Sequence, residues 1–202
     1  MTYELYNTLM SHFIPGKIIK EFTTKSGKHA IIRYPKWEDL DAMLEHINTV
    51  SKENTFITFS GEQETLESES KYLASEFESI EEGNACKLFC FVEEKFAGVC
   101  DVHRVLMNKK RSLHVGTLGL VISKEFRGDG IGAILMQTTI DEAIQQIKGL
   151  RLIQLSCFAA NTPALNLYRK LGFAEVGRIP QKLLHKGEYI DEVWMTKTVA
   201  SG

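Results

Sequence analysis

The stretch "EFRGDGIGAILM", from Glu125 to Met136, lies between an apolar, strand-like run and an apolar segment with helical periodicity. Its glycines occupy every second position, at Gly128, Gly130 and Gly132. A glycine loop that leads from a strand into a helix exposes the unpaired N–H groups of the first helical turn. These groups and the helix dipole together bind phosphate without a lysine. Glycine suits such a loop because it has no Cβ to obstruct an anion.

Two more specialised interpretations of this stretch fail. A dinucleotide-binding turn requires G-x-G-x-x-G and an acidic residue about 20 positions further on, and neither is present. The Arg-Gly-Asp tripeptide is typical of extracellular adhesion loops, but the rest of the chain does not resemble an extracellular protein. An anion-binding loop and a plain, closely packed helix entry both stay open on the residues alone.

Bulk properties predict one soluble globular domain over residues 1–202. Apolar residues make up 44% of the chain, charged residues 25%, and the formal net charge is -2. This charge gives no electrostatic reason to expect nucleic acid or an anionic membrane as a partner. No apolar run approaches the ~20 residues that cross a bilayer, and the N-terminus lacks the pattern of a secretion signal.

The cysteines favour a cytoplasmic location. They lie in apolar, strand-like runs, and none forms a zinc-type pair. We therefore expect buried, reduced thiols and no metal site. The four residues are Cys86, Cys90, Cys100 and Cys157.

The order of periodic segments predicts a mixed α/β (α+β) domain. A short helix is expected within residues 1–15, followed by two strands around a turn at Ser26-Gly27. That turn, "TKSGKH", faintly resembles a P-loop, but His29 stands where Ser or Thr should follow the lysine. Two helices, a hairpin turning near Glu94-Lys95 and another strand lead to the glycine stretch. A buried strand, a short helix with Thr162 as its expected N-cap and two final strands follow.

A family resemblance joins these features. Residues 127–132, "RGDGIG", match the R/Q-x-x-G-x-G/A signature of the GNAT superfamily of acyl-CoA-dependent N-acyltransferases. Residues 161–173, "NTPALNLYRKLGF", resemble the N-x-x-A-x-x-L-Y-x-K-x-G-F segment of that family, and "GEYIDEVWM" resembles its terminal strand. The chain is thereby identified as a member from about Ala30 to Lys197. The resemblance implies a mostly antiparallel central sheet with helices on both faces. It also implies a splay between the fourth and fifth core strands, "SLHVGTLGLVIS" and "LRLIQLSCFA".

The resemblance also implies where acetyl-CoA binds. The loop amides would hold its pyrophosphate, and the strand before the loop would pair with its pantetheine arm. A backbone N–H near Val121 or Ile122 would polarise the acyl carbonyl. Asn161 is assigned to the same region, with helix capping as the alternative. The other expected contacts are Leu120, Val121, Ile122, Arg127, Gly128, Asp129, Gly130, Ile131, Gly132 and Ala133.

Tyr168 matches the motif tyrosine and is the predicted general acid. A phenol that is hydrogen-bonded to the sulfur can protonate the departing thiolate, and its reference pKa near 10 keeps it protonated at neutral pH. Simple packing of an aromatic ring on a short helix is the alternative.

The general base is harder to assign. Some family members place a Glu on the strand before the glycine loop, but the corresponding residues 114–117 contain no carboxylate. His114 is the candidate, because strand alternation would put it on the same face as Gly116. A structural role for His114, a base at His103 and a route through water are the alternatives.

The predicted function is transfer of an acetyl group to a primary amine of a small molecule or a protein. In the family, the segments that correspond to residues 51–63 and 179–191 wall the acceptor cleft. Phe56 and Phe59 either line this cleft or anchor a loop. The glutamate-rich second helix either gathers a cationic amine, such as a polyamine, or is a solvated face. A non-catalytic acyl-CoA-binding module is the alternative function, and a homodimer stays open.

Overall fold

The computed structural model of the protein describes residues 13–199. The helix expected within residues 1–15 therefore lies almost entirely outside the described residues.

An eight-stranded sheet organises the described part of the chain. The strand order is β1-β2-β3-β4-β5-β6-β8-β7, and every neighbouring pair is antiparallel except β5 and β6. This confirms the predicted mixed, mostly antiparallel sheet. The strands are β1 (Ile18–Thr23), β2 (His29–Arg33), β3 (Ala85–Val92), β4 (Lys95–Arg104), β5 (Val115–Ile122), β6 (Leu152–Phe158), β7 (Ala174–His185) and β8 (Glu188–Thr198).

Helices cover both faces of this sheet, as predicted. Two of them bury Met43, Leu73 and Phe77 against the aromatic side chains of β3. The other two pack on the opposite face, where Leu135 and Tyr168 join the larger apolar core. The helices of the described residues are α1 (Leu40–Lys52), α2 (Leu66–Glu81), α3 (Ile131–Gln146) and α4 (Thr162–Lys170).

One turn differs from the prediction by a residue. The β3–β4 hairpin turns at Glu93-Glu94, not at Glu94-Lys95, and both glutamates have positive φ. A two-residue turn of this kind follows the right-handed twist of the strands, so the ladder closes at Val92 and Lys95.

β5 and β6 separate after a short paired region. They are parallel neighbours only over Val115–Thr117 and Leu152–Gln154. Beyond that point β6 pairs with β8, whereas β5 continues to Ile122 with β4 as its only neighbour among residues 13–199. The gap between β5 and β6 beyond Thr117 and Gln154 is called the splay below. It lies where the family resemblance placed it.

The hydrogen-bond pattern fixes which residues of β5 face the splay. Val105 N donates to Val115 O at one end of the strand, and Ser123 N donates to Ala97 O at the other. Because the direction of the main-chain groups alternates in an antiparallel pair, the odd-numbered residues from 115 to 123 bond to β4. Leu120 therefore turns its N–H and C=O groups to the open side, as does the next even-numbered residue, Ile122.

A close contact between β4 and β5 holds this edge in place. A Cβ at Gly98 would lie 2.5 Å from the carbonyl oxygen of Val121 and 2.7 Å from Cδ1 of Ile122. We therefore expect Gly98→Val to lower the free energy of unfolding by about 1–3 kcal/mol, because the overpacked strands must move apart. Urea denaturation measures this loss.

Gly177→Val is the matched control. A Cβ at Gly177 would meet no atom within 4 Å, so its effect should stay within about 0.5 kcal/mol. If both variants were equally stable, the close approach of β4 and β5 at Gly98 would be wrong.

Candidate active site

The glycine stretch forms a loop that ends in the first turn of α3. Gly128 and Gly130 both have a φ of 85°, a left-handed conformation that favours glycine. Gly130 is the N-cap of α3, and no side chain makes a capping hydrogen bond there. The first N–H groups of this 16-residue helix therefore lack a side-chain partner, as an anion site requires.

The structure brings most of the predicted acyl-CoA residues together. Gly130, Ile131, Gly132 and Ala133 are consecutive at the start of α3, and Gly128 lies in the loop just before them. One 3-10 turn, Lys124–Phe126, separates β5 from the loop. A Cβ at Gly132 would lie 3.6 Å from Ile122 Cγ1 and 3.8 Å from Leu120 Cδ2, so the open edge of β5 lies next to the start of α3. Because the site has a polar edge at one end and unfilled amides at the other, it fits a ligand that carries both amides and phosphates.

Val121 departs from its predicted role. Its main-chain groups belong to the set that bonds to β4, and its side chain lines a cavity on the α1–α2 face. Of the two candidates for polarising the acyl carbonyl, only Ile122 directs its N–H to the splay.

Arg127 is engaged by the protein. Its Nη1 atom lies 2.7 Å from Glu53 Oε2, and its Nε atom donates to Ile122 O at 2.9 Å. The side chain thus ties the loop to the end of α1 and to the end of β5, and Glu53 balances its charge.

Asp129 was also expected to contact phosphate, through its main-chain N–H, and its side chain has a separate role. Its two carboxylate oxygens accept hydrogen bonds from Ser26 N and Ser26 Oγ, both at 2.7 Å. The Ser26 hydroxyl is the main cause that lowers the pKa of Asp129. A carboxylate held in its ionised form repels a phosphate, so Asp129 anchors the loop.

Asn161 caps α4, and Thr162, the predicted cap, is the first residue of the helix. The Asn161 Oδ1 atom accepts a hydrogen bond from Ala164 N at 3.3 Å. This satisfies one of the free N–H groups of the helix. The structure thus uses the side-chain oxygen of Asn161 for capping, the alternative to cofactor contact.

Tyr168 lies buried on the α3–α4 face of the sheet, 8% exposed. Burial raises the pKa of this phenol, and the neighbouring thiols of Cys157 and Cys100 raise it further. Cys100 belongs to β4 and Cys157 to β6, the strands on either side of β5. The phenol is therefore held protonated beside the splay.

His114 is not brought to this region. It is exposed and lies in the turn before β5, so it is not the strand residue that the alternation argument assumed. Its carbonyl accepts hydrogen bonds from Arg151 N and Leu152 N, at the end where β5 and β6 are still paired. The paired residues 115–117 separate it from the open edge.

A buried cluster of charges instead faces the strand from the α1–α2 side. His103 and Asp101 lie on β4 opposite Thr117 and Gly119, where β5 leaves β6. The Nε2 atom of His103 is 3.3 Å from Glu76 Oε2 and 3.7 Å from Asp101 Oδ1. A Cβ at Gly119 would lie 3.0 Å from Asp101 Oδ1. A carboxylate from β4 thus lies over a position of β5 that has no side chain.

Lys87 is the cation that balances this cluster. Its Nζ atom is 2.9 Å from Glu76 Oε2 and 3.3 Å from Asp101 Oδ2, and it also contacts the hydroxyl of Tyr72. Burial would raise the pKa of Glu76, but the bonds from His103 and Lys87 outweigh it and lower the pKa to about 2. Burial would lower the pKa of His103, but the bond to Glu76 and the charge of Asp101 raise it above its usual value.

Sequence reasoning ranked His103 below His114 and missed the other members of the cluster. One signal was available in "ACKLFCFV", a fully buried strand whose only charged residue is Lys87. A buried ammonium requires carboxylate partners, and Asp101 lies directly opposite it in the β3–β4 ladder.

A cavity of about 330 Å³ lies beside this cluster, between α1, α2 and the sheet. Phe59 lines it, whereas Phe56 packs against His185 of β7 with ring centroids 4.7 Å apart. Phe59 therefore fits the role of lining the cleft, and Phe56 fits the role of anchoring a loop. His46 also lines the cavity and stays neutral, since burial and then Arg127 lower its pKa to about 4.

Only part of the acidic segment around α2 reaches this cavity. Glu64 and Glu69 line it, and Glu76 belongs to the adjoining cluster. Glu67, Glu78, Glu81 and Glu82, in contrast, lie on the exposed face of the helix or just after it.

Comparison with known proteins agrees with this geometry. Residues 48–173, more than half of the chain, match the model of the Acetyltransferase (GNAT) family. The chain belongs to the GNAT acetyltransferase family. This confirms the predicted family and, with it, the predicted acyltransferase class.

Relatives of this GNAT chain include two curated proteins. It is 28% identical over 92 residues to the L-amino acid N-acetyltransferase AaaT of Escherichia coli, an alignment that covers 46% of this chain and 56% of that protein. The chain thus spans little more than half the length of AaaT. It is 25% identical over 152 residues to an N-alpha-acetyltransferase of Sulfurisphaera tokodaii, covering 75% of this chain and 84% of that protein.

A GNAT acetyltransferase of Streptococcus pneumoniae has a similar solved structure. The TM-score is 0.76 at 28% sequence identity, and the match covers 85% of this chain and 99% of the other.

Within residues 13–199 of the GNAT chain, no helix is long and apolar enough to cross a membrane. The same residues contain no group of three or more His, Cys, Asp or Glu side chains arranged to hold a metal ion.

Lys87→Met tests the buried charge cluster of the GNAT chain. The variant leaves Glu76 and Asp101 without their cation, so we expect a loss of about 3 kcal/mol or more at pH 8. The pKa values of the unpaired carboxylates would rise above those of the unfolded chain. The loss should therefore shrink as the pH falls and the carboxylates become protonated.

Urea denaturation at pH 8 and pH 5 measures both effects. Lys95→Met, at the exposed start of β4, is the control and should stay within about 0.5 kcal/mol. A loss for Lys87→Met that is as small as the control, or independent of pH, would contradict the pairing.

Proposed function

We propose that this GNAT protein is an N-acetyltransferase that transfers an acetyl group from acetyl-CoA to a primary amine by direct attack. The observation that carries the proposal is the open edge of β5, which leads into the unfilled N–H groups at the start of α3. An extended pantetheine arm can add to Leu120 and Ile122 as a further strand. The diphosphate of the same molecule can then bind at the helix start.

Tyr168 acts as the general acid in this proposal. Attack of the amine forms the C–N bond, and collapse of the intermediate breaks the C–S bond. The phenol gives its proton to the departing sulfur, so that coenzyme A leaves as a thiol. Its raised pKa fits this role to the extent that the phenol is protonated over the working pH range and available to donate when the C–S bond breaks.

His103 is the proposed base, in place of His114. It takes the proton that the amine nitrogen loses as the C–N bond forms, and Glu76 and Asp101 stabilise the resulting imidazolium. Tyr168 and His103 belong to opposite faces of the sheet, and the splay opens between those faces. An acyl group in the splay would be reached by the acid from one side and by the amine from the other.

The cavity beside the cluster is the proposed acceptor site. Its wall includes the carboxylates of Glu64, Glu69 and Asp101 and one ammonium, that of Lys87. The acidic groups outnumber the basic one, which favours an amine that carries positive charge. By their names, the two curated relatives are an L-amino acid N-acetyltransferase and an N-alpha-acetyltransferase. Free amino acids and peptides with an open N-terminus are therefore the first acceptors to test, followed by polyamines.

Release of the coenzyme A thiol from acetyl-CoA across this panel tests the function. Acetyl-CoA binding by calorimetry is measured in parallel. Release with at least one amine, together with an acetylated product of the expected mass, would support the enzyme. Tight binding without release for any acceptor would favour the non-catalytic acyl-CoA-binding module.

Tyr168→Phe tests the general acid. The variant keeps the ring and loses the proton donor, so kcat should fall by about 10²-fold while the Kd for acetyl-CoA stays nearly constant. Tyr34→Phe is the control, because it removes another buried phenol hydroxyl, one that donates to Glu142 Oε1 at 2.9 Å, and kcat of the folded variant should not change. Unchanged turnover for Tyr168→Phe would remove the phenol from the mechanism.

His103→Gln tests the base. The neutral imidazole is the active form, and the pKa of His103 is raised above 6.5. The wild-type kcat/KM should therefore fall as the pH drops through that raised value. His103→Gln should lower kcat/KM by about 10²-fold at pH 8 and lose this acidic limb.

His114→Gln is the matched variant, at the histidine that the sequence favoured. It should retain the wild-type pH profile. A lost acidic limb in His114→Gln and an intact one in His103→Gln would reverse the assignment.

A further inference from the structure

The turn between β1 and β2 is fastened to the glycine loop, although 103 residues separate them in the chain. The main-chain N–H and the hydroxyl of Ser26 both donate to the carboxylate of Asp129 at 2.7 Å. Lys25 N also donates to Asp129 O at 3.3 Å. This turn is the "TKSGKH" segment that fails as a P-loop on its own sequence.

The turn itself has a defined shape. Thr24 N donates to Lys28 O at 2.9 Å, and Gly27 N donates to Thr24 O at 3.0 Å. Gly27 has a φ of 85°, which allows the chain to reverse tightly. The turn therefore presents its side chains to the glycine loop from a fixed backbone.

The side chain of Lys25 crosses the start of α3. The position that a Cβ would take at Gly130 lies 3.2 Å from Cε of Lys25 and 3.5 Å from its Cγ. Gly130 is the residue that caps the free N–H groups of the helix. The lysine stem thus runs along the rim of the proposed phosphate site.

The charges around the loop indicate what this lysine does. Arg127 is paired with Glu53, and Asp129 adds a negative charge beside the phosphate position. Across residues 13–199, no carboxylate lies within ion-pair distance of the Lys25 ammonium, whereas Lys28 lies 3.9 Å from Glu93. The charge of Lys28 acts on Asp129, so Lys25 is the cation of this turn that is left to attract an anion.

We propose that Lys25 binds the 5′-diphosphate of the acyl-CoA substrate, and that the β1–β2 turn is a third segment of the phosphate site. The two hydrogen bonds from Ser26 to Asp129 hold this turn beside the glycine loop. The acidic residue in the anion-binding loop therefore serves to position the turn that carries Lys25. This inference rests on the proposed function, since it requires that the loop binds acyl-CoA.

The test compares Lys25→Met with Lys28→Met by calorimetry against acetyl-CoA and against dephospho-CoA, which lacks the 3′-phosphate. We expect Lys25→Met to weaken both ligands by about five- to tenfold, as for the loss of one charge-assisted contact. Lys28→Met should stay within about twofold, and Lys25→Arg should restore binding because it keeps the charge.

The outcomes separate this inference from the function on which it rests. Wild-type binding of acetyl-CoA with unchanged affinity in Lys25→Met would overturn the role of Lys25 and leave the proposed function intact. A loss for acetyl-CoA but not for dephospho-CoA would show that the lysine contacts the 3′-phosphate, and would overturn the diphosphate assignment. Failure of the wild-type protein to bind either ligand would sink the proposed function itself.

Discussion

The structure depends on a β-strand that is hydrogen-bonded along one edge only. β5 is bonded to β4 over its full length, but its pairing with β6 ends at Thr117. Main-chain N–H and C=O groups are costly to leave without a partner once water is removed. The remaining edge therefore suits a ligand that can act as a strand, and the glycine loop places helix N–H groups at its end. Together these groups define one elongated site.

Charge balance decides how the two faces of the splay differ. On the α3–α4 face, Tyr168 lies among apolar and thiol groups, which keep a phenol neutral. On the α1–α2 face, Lys87 is buried with Glu76 and Asp101, and these carboxylates also raise the pKa of His103. In the proposed mechanism, these two groups are the proton donor and the proton acceptor on opposite sides of the splay. The pKa of each group is set by the residues packed around it.

The sequence predicted those parts of the arrangement that depend on local residue patterns. Alternation and helical spacing gave the strands and helices, and two motifs at their expected separation gave the family and the position of the splay. The misplaced residues depend on contacts between distant segments. His114 appeared to continue a strand, but β5 begins one residue later. The side chain of Asp129 is held by Ser26 of the β1–β2 turn, a contact that the sequence of the glycine loop does not show. The residues of the Lys87 cluster come from α2, β3 and β4, so no local sequence pattern shows that they lie together.

Residue-resolved amide hydrogen exchange, with and without acetyl-CoA, tests the central claim most directly. In the free protein, the amides of Leu120 and Ile122 should exchange faster than those of Gly119 and Val121, which are bonded to β4. Saturating acetyl-CoA should slow exchange at Leu120 and Ile122 and at the first turn of α3. If exchange at Leu120 and Ile122 did not change at saturating acetyl-CoA, the open edge of β5 would not be the binding site.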